Sequence, residues 1–85
     1  MITLILNIRH SGGEMDIIEL DTGDTSDISM LELYDKFELY SGLINTLDDK
    51  GVLDFKKIND ISLELYEETE TEGETDILEE TVWSL

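Results

Sequence analysis

Three stretches of periodic hydrophobicity predict an α+β fold of order β-β-α-β-β, one amphipathic helix packed on a small, mostly antiparallel sheet. Apolar residues alternate with others from Ile2 to Arg9, recur at three- and four-residue spacings from Met30 to Leu47, and alternate again from Ile61 to Glu68. The 85 residues suffice for a single acidic domain over positions 1–85, and no internal repeat or linker divides them.

The first strand places Ile2, Leu4, Leu6 and Ile8 on one face and Thr3, Ile5, Asn7 and Arg9 on the other, with β-branched residues that favour extended backbone. Ser11-Gly12-Gly13 supplies the permissive dihedrals of a hairpin loop. A second strand then runs from Glu14 to Asp21, with Met15 and Ile17 on one face but Ile18 and Leu20 on the other. That slip of phase predicts a bulge, or a strand covered on both sides.

After a polar connection from Asp21 to Asp27, Ser29-Met-Leu-Glu32 reads as a capping box, with Ile28 and Leu33 placed for a hydrophobic staple. The helix carries Met30, Leu33, Tyr34, Phe37, Tyr40, Ile44 and Leu47 as one broad apolar stripe and stops near Asp49, before Gly51. Gly42 weakens its middle by about 1 kcal/mol relative to Ala and marks where a break is expected, if there is one. Val52 to Asn59 is a connector or short strand that contributes Phe55 and Ile58 to the core. Ile61 to Glu68 is the third strand. Ile77 to Leu85 is a fourth, because Thr81, Val82 and Trp83 favour sheet over a short helix begun at Asp76 and Glu79.

Charge bounds the function. Twenty-two acids against five bases give a net charge of −17, whose self-repulsion weakens a compact state. Direct contact with DNA, RNA or anionic lipid is disfavoured, and a strongly basic protein partner is favoured. Thirteen Leu and ten Ile argue against disorder despite that charge. The absence of cysteine removes disulfides and thiolate metal sites, leaving packing as the source of stability and the cytoplasm as the default compartment. The amino-terminal apolar run is too short, and lacks the basic start, for a signal sequence or membrane span.

The most distinctive stretch is Glu68-Thr-Glu-Thr-Glu-Gly-Glu-Thr-Asp76, within a tract from Ile58 onward that has no Lys or Arg. If extended, it sets Glu68, Glu70, Glu72, Glu74 and Asp76 along one edge at roughly 6.6 Å intervals. Upstream the phase continues through Tyr66, Glu64 and Ser62, opposite an apolar face of Ile61, Leu63 and Leu65. The strand leaves the core near Glu67, and Gly73 suggests a turn, so the acids form a hairpin tip more readily than a straight rod.

Other chemistry is weakly signalled. Asp21 to Glu32 has the length of a calcium loop, but Gly23, Thr25 and Ser26 occupy positions where ligands and the turn glycine are required. No metal or cofactor is expected. His10, the sole histidine, beside a Gly-rich turn, has no nucleophile or carboxylate at a catalytic spacing, so no catalytic residue is assigned. Trp83 fits either a core-capping role or an exposed contact.

The order of hairpin, helix and returning strands is similar to a ubiquitin-like β-grasp, implying a non-catalytic interaction or adaptor module, although Trp83-Ser84-Leu85 lacks the di-glycine that conjugation needs. The small, acidic composition resembles phage-encoded DNA-mimic proteins, including anti-CRISPR and anti-restriction proteins and glycosylase inhibitors. That resemblance implies an inhibitor, monomeric or homodimeric, that acts in the host cytoplasm on a basic nucleic-acid-binding protein. Its candidate contact residues are Glu64, Tyr66, Glu67, Glu68, Glu70, Glu72, Glu74, Asp76, Glu79 and Glu80, with a second acidic patch drawn from Asp21, Asp24, Asp27, Asp48 and Asp49.

Overall fold

The strands that alternate most cleanly occupy the centre of the sheet. In the computed structural model, which describes residues 1–68 and 75–84, β1 (Ile2–His10), β2 (Met15–Gly23), β3 (Ile58–Glu68) and β4 (Thr75–Ser84) form one sheet of order β2-β1-β3-β4. All three pairings are antiparallel. The helix, α1 (Asp27–Asp49), lies between β2 and β3 in the chain and covers one face. The expected β-β-α-β-β order is therefore the observed one.

Ile2 and Leu4 of β1 stand beside Glu67 and Leu65 of β3, and Leu6 and Ile8 beside Leu63 and Ile61. Ile2, Leu4, Ile61, Leu63 and Leu65 meet Leu33 and Phe37 of α1 and Trp83 of β4 in one buried cluster, with Leu6 and Ile8 packed against it. Ile2, Leu4, Leu63 and Leu65 are fully enclosed, each contributing about 1.5–3 kcal/mol by leaving water. Met30, Tyr34, Tyr40, Ile44, Phe55 and Ile58 pack around them, as their spacing predicts.

Both edge strands carry a bulge. Leu4 faces Asp21 and Ile5 faces Glu19, which leaves Leu20 as the extra residue in β2. Leu65 faces Glu79 and Tyr66 faces Ile77, which leaves Leu78 as the extra residue in β4. Both leucines pack against the core. The phase slip in the second strand is thus a bulge, and that strand is not covered on both sides, since Met15, Ile17 and Ile18 stay exposed.

Several helix expectations change. The cap is Ser26, whose extended backbone and Oγ, accepting from the Ser29 amide at 3.4 Å, start the helix one turn before the Ser29 box. Asp24 makes this possible by holding the Ser26 amide at 2.9 Å. Ile28 is 73% exposed, so no staple forms with Leu33. Gly42 does not break the helix. At the other end the Val52 amide donates to Leu47 and the Gly51 amide to Asp48, the paired bonds of a Schellman stop, with Gly51 at φ 71°. Leu47, expected in the buried stripe, is exposed beside this stop, as are Leu39 and Leu43 on the outer surface.

Trp83 belongs to the core, where its indole N–H donates to Asn45 Oδ1 at 2.6 Å. At the other end of α1, β2 comes so close that a Cβ on Gly23 would lie 3.0 Å from Leu33 Cδ1 and 3.2 Å from Ser29 Cβ. These contacts orient the helix, setting its N-terminus over the Gly23 end of the sheet and its C-terminus over the Trp83 end.

Candidate functional site

Antiparallel pairing converts the sequence alternation into rows that cross the sheet. One row is Gly23, Ile2, Glu67 and Asp76, at the end where α1 begins. Four strands at about 4.8 Å spacing make this row roughly 14 Å wide. The turn that carries Asp24 and Asp27 flanks it on one side, and the β3–β4 hairpin with Glu68 flanks it on the other. The Glu68 amide donates to the Met1 carbonyl at 3.0 Å, tying the hairpin to the start of β1. Two acidic patches that are some forty residues apart in sequence therefore share one end of the molecule, an acidic pole.

The face of the sheet away from α1 carries a second set. Glu19, Ile5, Glu64 and Glu80 form one row across all four strands. Thr22, Thr3, Tyr66 and Ile77 form the row nearer the pole, and Ile17, Asn7, Ser62 and Val82 the row further from it. Asn7 Nδ2 donates to Ser62 Oγ at 3.3 Å across the two central strands. A depression of about 250 Å³ lies here, lined by Ile5, Asn7, Arg9, Met15, Asp60, Ser62 and Glu64.

Electrostatics distinguish individual acids. Partial burial of Glu64 raises its carboxyl above the ordinary 4.5, and the facing Glu80 carboxylate raises it further. The Lys36 ammonium donates to Asp21, which lowers the Asp21 carboxyl below 3.8 with help from the Thr22 amide, while raising Lys36. Hydrogen bonds from Ser26 hold Asp24 below 3.8. Lys36, the one Lys or Arg side chain near the pole, is thus already engaged by a carboxylate.

Among the described residues the remaining bases lie toward the other end. Arg9 sits 3.7 Å from Asp60, Lys50 caps the C-terminus of α1, and the Lys57 carbonyl accepts from the Ser11 amide in the β1–β2 turn. Lys56 adjoins Lys57. That end also carries Asp48, Asp49 and Asp54, so its signs are mixed.

The structure sorts the expected contact residues. Glu64, Tyr66 and Glu80 share the uncovered sheet face, whereas Glu67 and Asp76 pair with each other on the helix side. Glu79 faces Leu65, also on the helix side, and is exposed at the sheet edge. Glu68 faces Thr75, so Glu68 and Asp76 do not continue one line of carboxylates. Glu70, Glu72 and Glu74, with the Gly73 turn, lie outside the described residues. The second patch divides: Asp21, Asp24 and Asp27 stand at the acidic pole, but Asp48 and Asp49 are at the far end of α1, about 33 Å away along a helix rising 1.5 Å per residue. Glu19 was not among the candidates, because its place beside Glu64 and Glu80 comes from pairing between distant strands.

His10 Nε2 lies 2.8 Å from Asp16 Oδ2 at the surface. Among the described residues no group of three or more His, Asp or Glu side chains is arranged to hold a metal ion, and no helix is long and apolar enough to cross a membrane. The stretch with the length of a calcium loop is divided between the end of β2, the Asp24 turn and the first turns of α1. No family model, curated protein or solved structure matches this chain.

Proposed function

We propose that this protein is a non-catalytic inhibitor that imitates the charge of nucleic acid and occupies the basic groove of a DNA- or RNA-binding protein. The segregation of charge supports the reading most directly. One end gathers carboxylates from the β2–α1 turn and the β3–β4 hairpin, with Lys36 already bound by Asp21, and the other Lys and Arg side chains lie toward the opposite end. Such an oriented negative pole accelerates encounter with a basic surface and fixes which end arrives first. Fixed carboxylates can displace the counterions or phosphates that a Lys- and Arg-lined groove otherwise holds.

The acids also weaken the fold, which suggests that binding retains them. Glu80 stands directly across from Glu64, and the last turn of α1 holds Asp48 and Asp49 at the negative end of the helix dipole. A phage setting, such as anti-CRISPR or anti-restriction activity in the host cytoplasm, follows from the resemblance in composition.

The test is capture from host extract on the immobilised chain, followed by elution with duplex DNA or with salt. The reading expects a nucleic-acid-binding protein that duplex DNA displaces, and whose capture is lost on combined Glu67→Lys, Glu68→Lys and Asp76→Lys substitution with unchanged circular dichroism. Capture that persists in saturating DNA, or survives the triple reversal, overturns it. A second reading, an adaptor that adds a partner strand to its sheet, is favoured by the open β2 edge with Met15, Ile17 and Ile18 exposed. It expects capture that resists high salt.

A further inference from the structure

The uncovered sheet face differs from the acidic pole because apolar side chains interrupt its carboxylates. Ile17, Ile77 and Val82 are each more than half exposed there, with Ile5 and Tyr66 half-buried between them. A surface built only to repeat phosphate charge has no use for them, and each leaves apolar area in water. In their midst Glu64 is partly withdrawn from solvent and faces Glu80. Arg9, the base on this face, is engaged with Asp60, and it stands four residues along β1 from Ile5, on the order of 13 Å away.

We infer that this face docks an extended protein segment whose every second residue meets the sheet in the order apolar, basic, apolar, with one Lys or Arg side chain placed between Glu64 and Glu80 and its apolar neighbours on Tyr66, Ile77 and Val82. The inference rests on the proposal of a basic protein partner and narrows it: recognition extends beyond charge to apolar contacts on this face. Charge complementarity selects the occupant. A second copy would bring Glu19, Glu64 and Glu80 against the same three residues, and nucleic acid or an anionic membrane would meet the same repulsion. A cation between the two carboxylates replaces that repulsion with two attractions.

The experiment titrates the isotopically labelled full chain with a peptide of repeating Val-Ser-Lys-Ser, which sets Val and Lys in turn on one face when extended, and separately with oligolysine of equal charge, following amide and Glu carboxyl resonances by NMR. The Val-Ser-Lys-Ser peptide is expected to shift Ile5, Glu64, Tyr66, Ile77 and Val82, to lower the midpoint of the Glu64 carboxyl titration, and to bind about tenfold more weakly to the Glu64→Gln/Glu80→Gln double variant. Val82→Thr with Ile77→Ser is expected to weaken that peptide while leaving oligolysine unchanged. Shifts confined to the pole, an unmoved Glu64 midpoint, or equal binding of both peptides to every variant overturns the inference. The two proposals fail separately. A DNA-displaceable partner that ignores the face variants removes only the docking face, whereas face-dependent binding of a partner that DNA cannot displace removes only the mimicry.

Discussion

Replacing Glu64 by Gln is expected to stabilise the fold, although it removes a charged side chain from a regular strand position. Glu64 and Glu80 are direct cross-strand partners, and the side chains of such a pair stand about 5 Å apart. Two unit charges at that distance repel by about 0.8 kcal/mol with the dielectric of water, the suitable value because both carboxylates reach solvent. Partial desolvation of Glu64 adds to this, so the expected gain is about 1 kcal/mol. For 85 residues the unfolding entropy is about 180 cal/mol/K, which converts that gain into a rise in Tm of about 6 °C. Differential scanning calorimetry of the wild type, both single Gln variants and the double variant closes a cycle. Each single change relieves the same repulsion, so the double variant should fall short of the sum by about 0.8 kcal/mol, and 1 M salt should shrink the shortfall. A lower Tm for Glu64→Gln, or strict additivity, would refute the like-charge pairing across β3 and β4.

The Glu64 carboxyl titrates above its ordinary 4.5, so the folded chain binds this proton more tightly than the unfolded one and stability rises as the pH falls from neutral toward 4.5. Asp21 and Asp24 are held below 3.8, so their contribution is present above 3.8 and is lost as the pH falls through their folded values. Tm measured against pH should therefore pass through a maximum in mild acid, and a steady decline from pH 7 downward would contradict both assignments. Gly23→Ala should destabilise by about 1–3 kcal/mol in urea unfolding, because its Cβ would meet Ser29 Cβ at 3.2 Å and Leu33 Cδ1 at 3.0 Å; a neutral result would show that α1 can move off β2. Leu63→Ala, at a fully enclosed central position, should lose about 2–5 kcal/mol, and a loss below 1 kcal/mol would exclude Leu63 from the core.

Much of the architecture was legible along the chain because strand and helix periods are local. Ile61, Leu63 and Leu65 alternate with Ser62, Glu64 and Tyr66, and the structure turns the first set toward Leu33 and Phe37 and the second onto the opposite face of the sheet, where Glu64 and Tyr66 are half-buried and Ser62 is buried. The start of the helix was less legible. Ser29 with Glu32 has the better motif, yet the Asp24 side chain fixes the Ser26 amide and lets the helix begin a turn earlier. Leu47 follows the apolar spacing but lies where α1 unwinds at Gly51, beyond the sheet it would need to cover.

The candidate site divides along the same line. Net charge, the run of acids after Ile58 and the direction in which Glu64 points depend on composition and a two-residue period, and these can be read from neighbouring residues alone. Pairing is another matter. That Glu19 joins Glu64 and Glu80 in one row, that Asp24 and Asp27 stand at the same pole as Glu67 and Asp76, and that Asp48 and Asp49 do not, was decided by strand order, two bulges and the placement of α1. Those features arise from burying one apolar face shared by residues up to eighty positions apart, and no local pattern in the chain records which partner each strand will take.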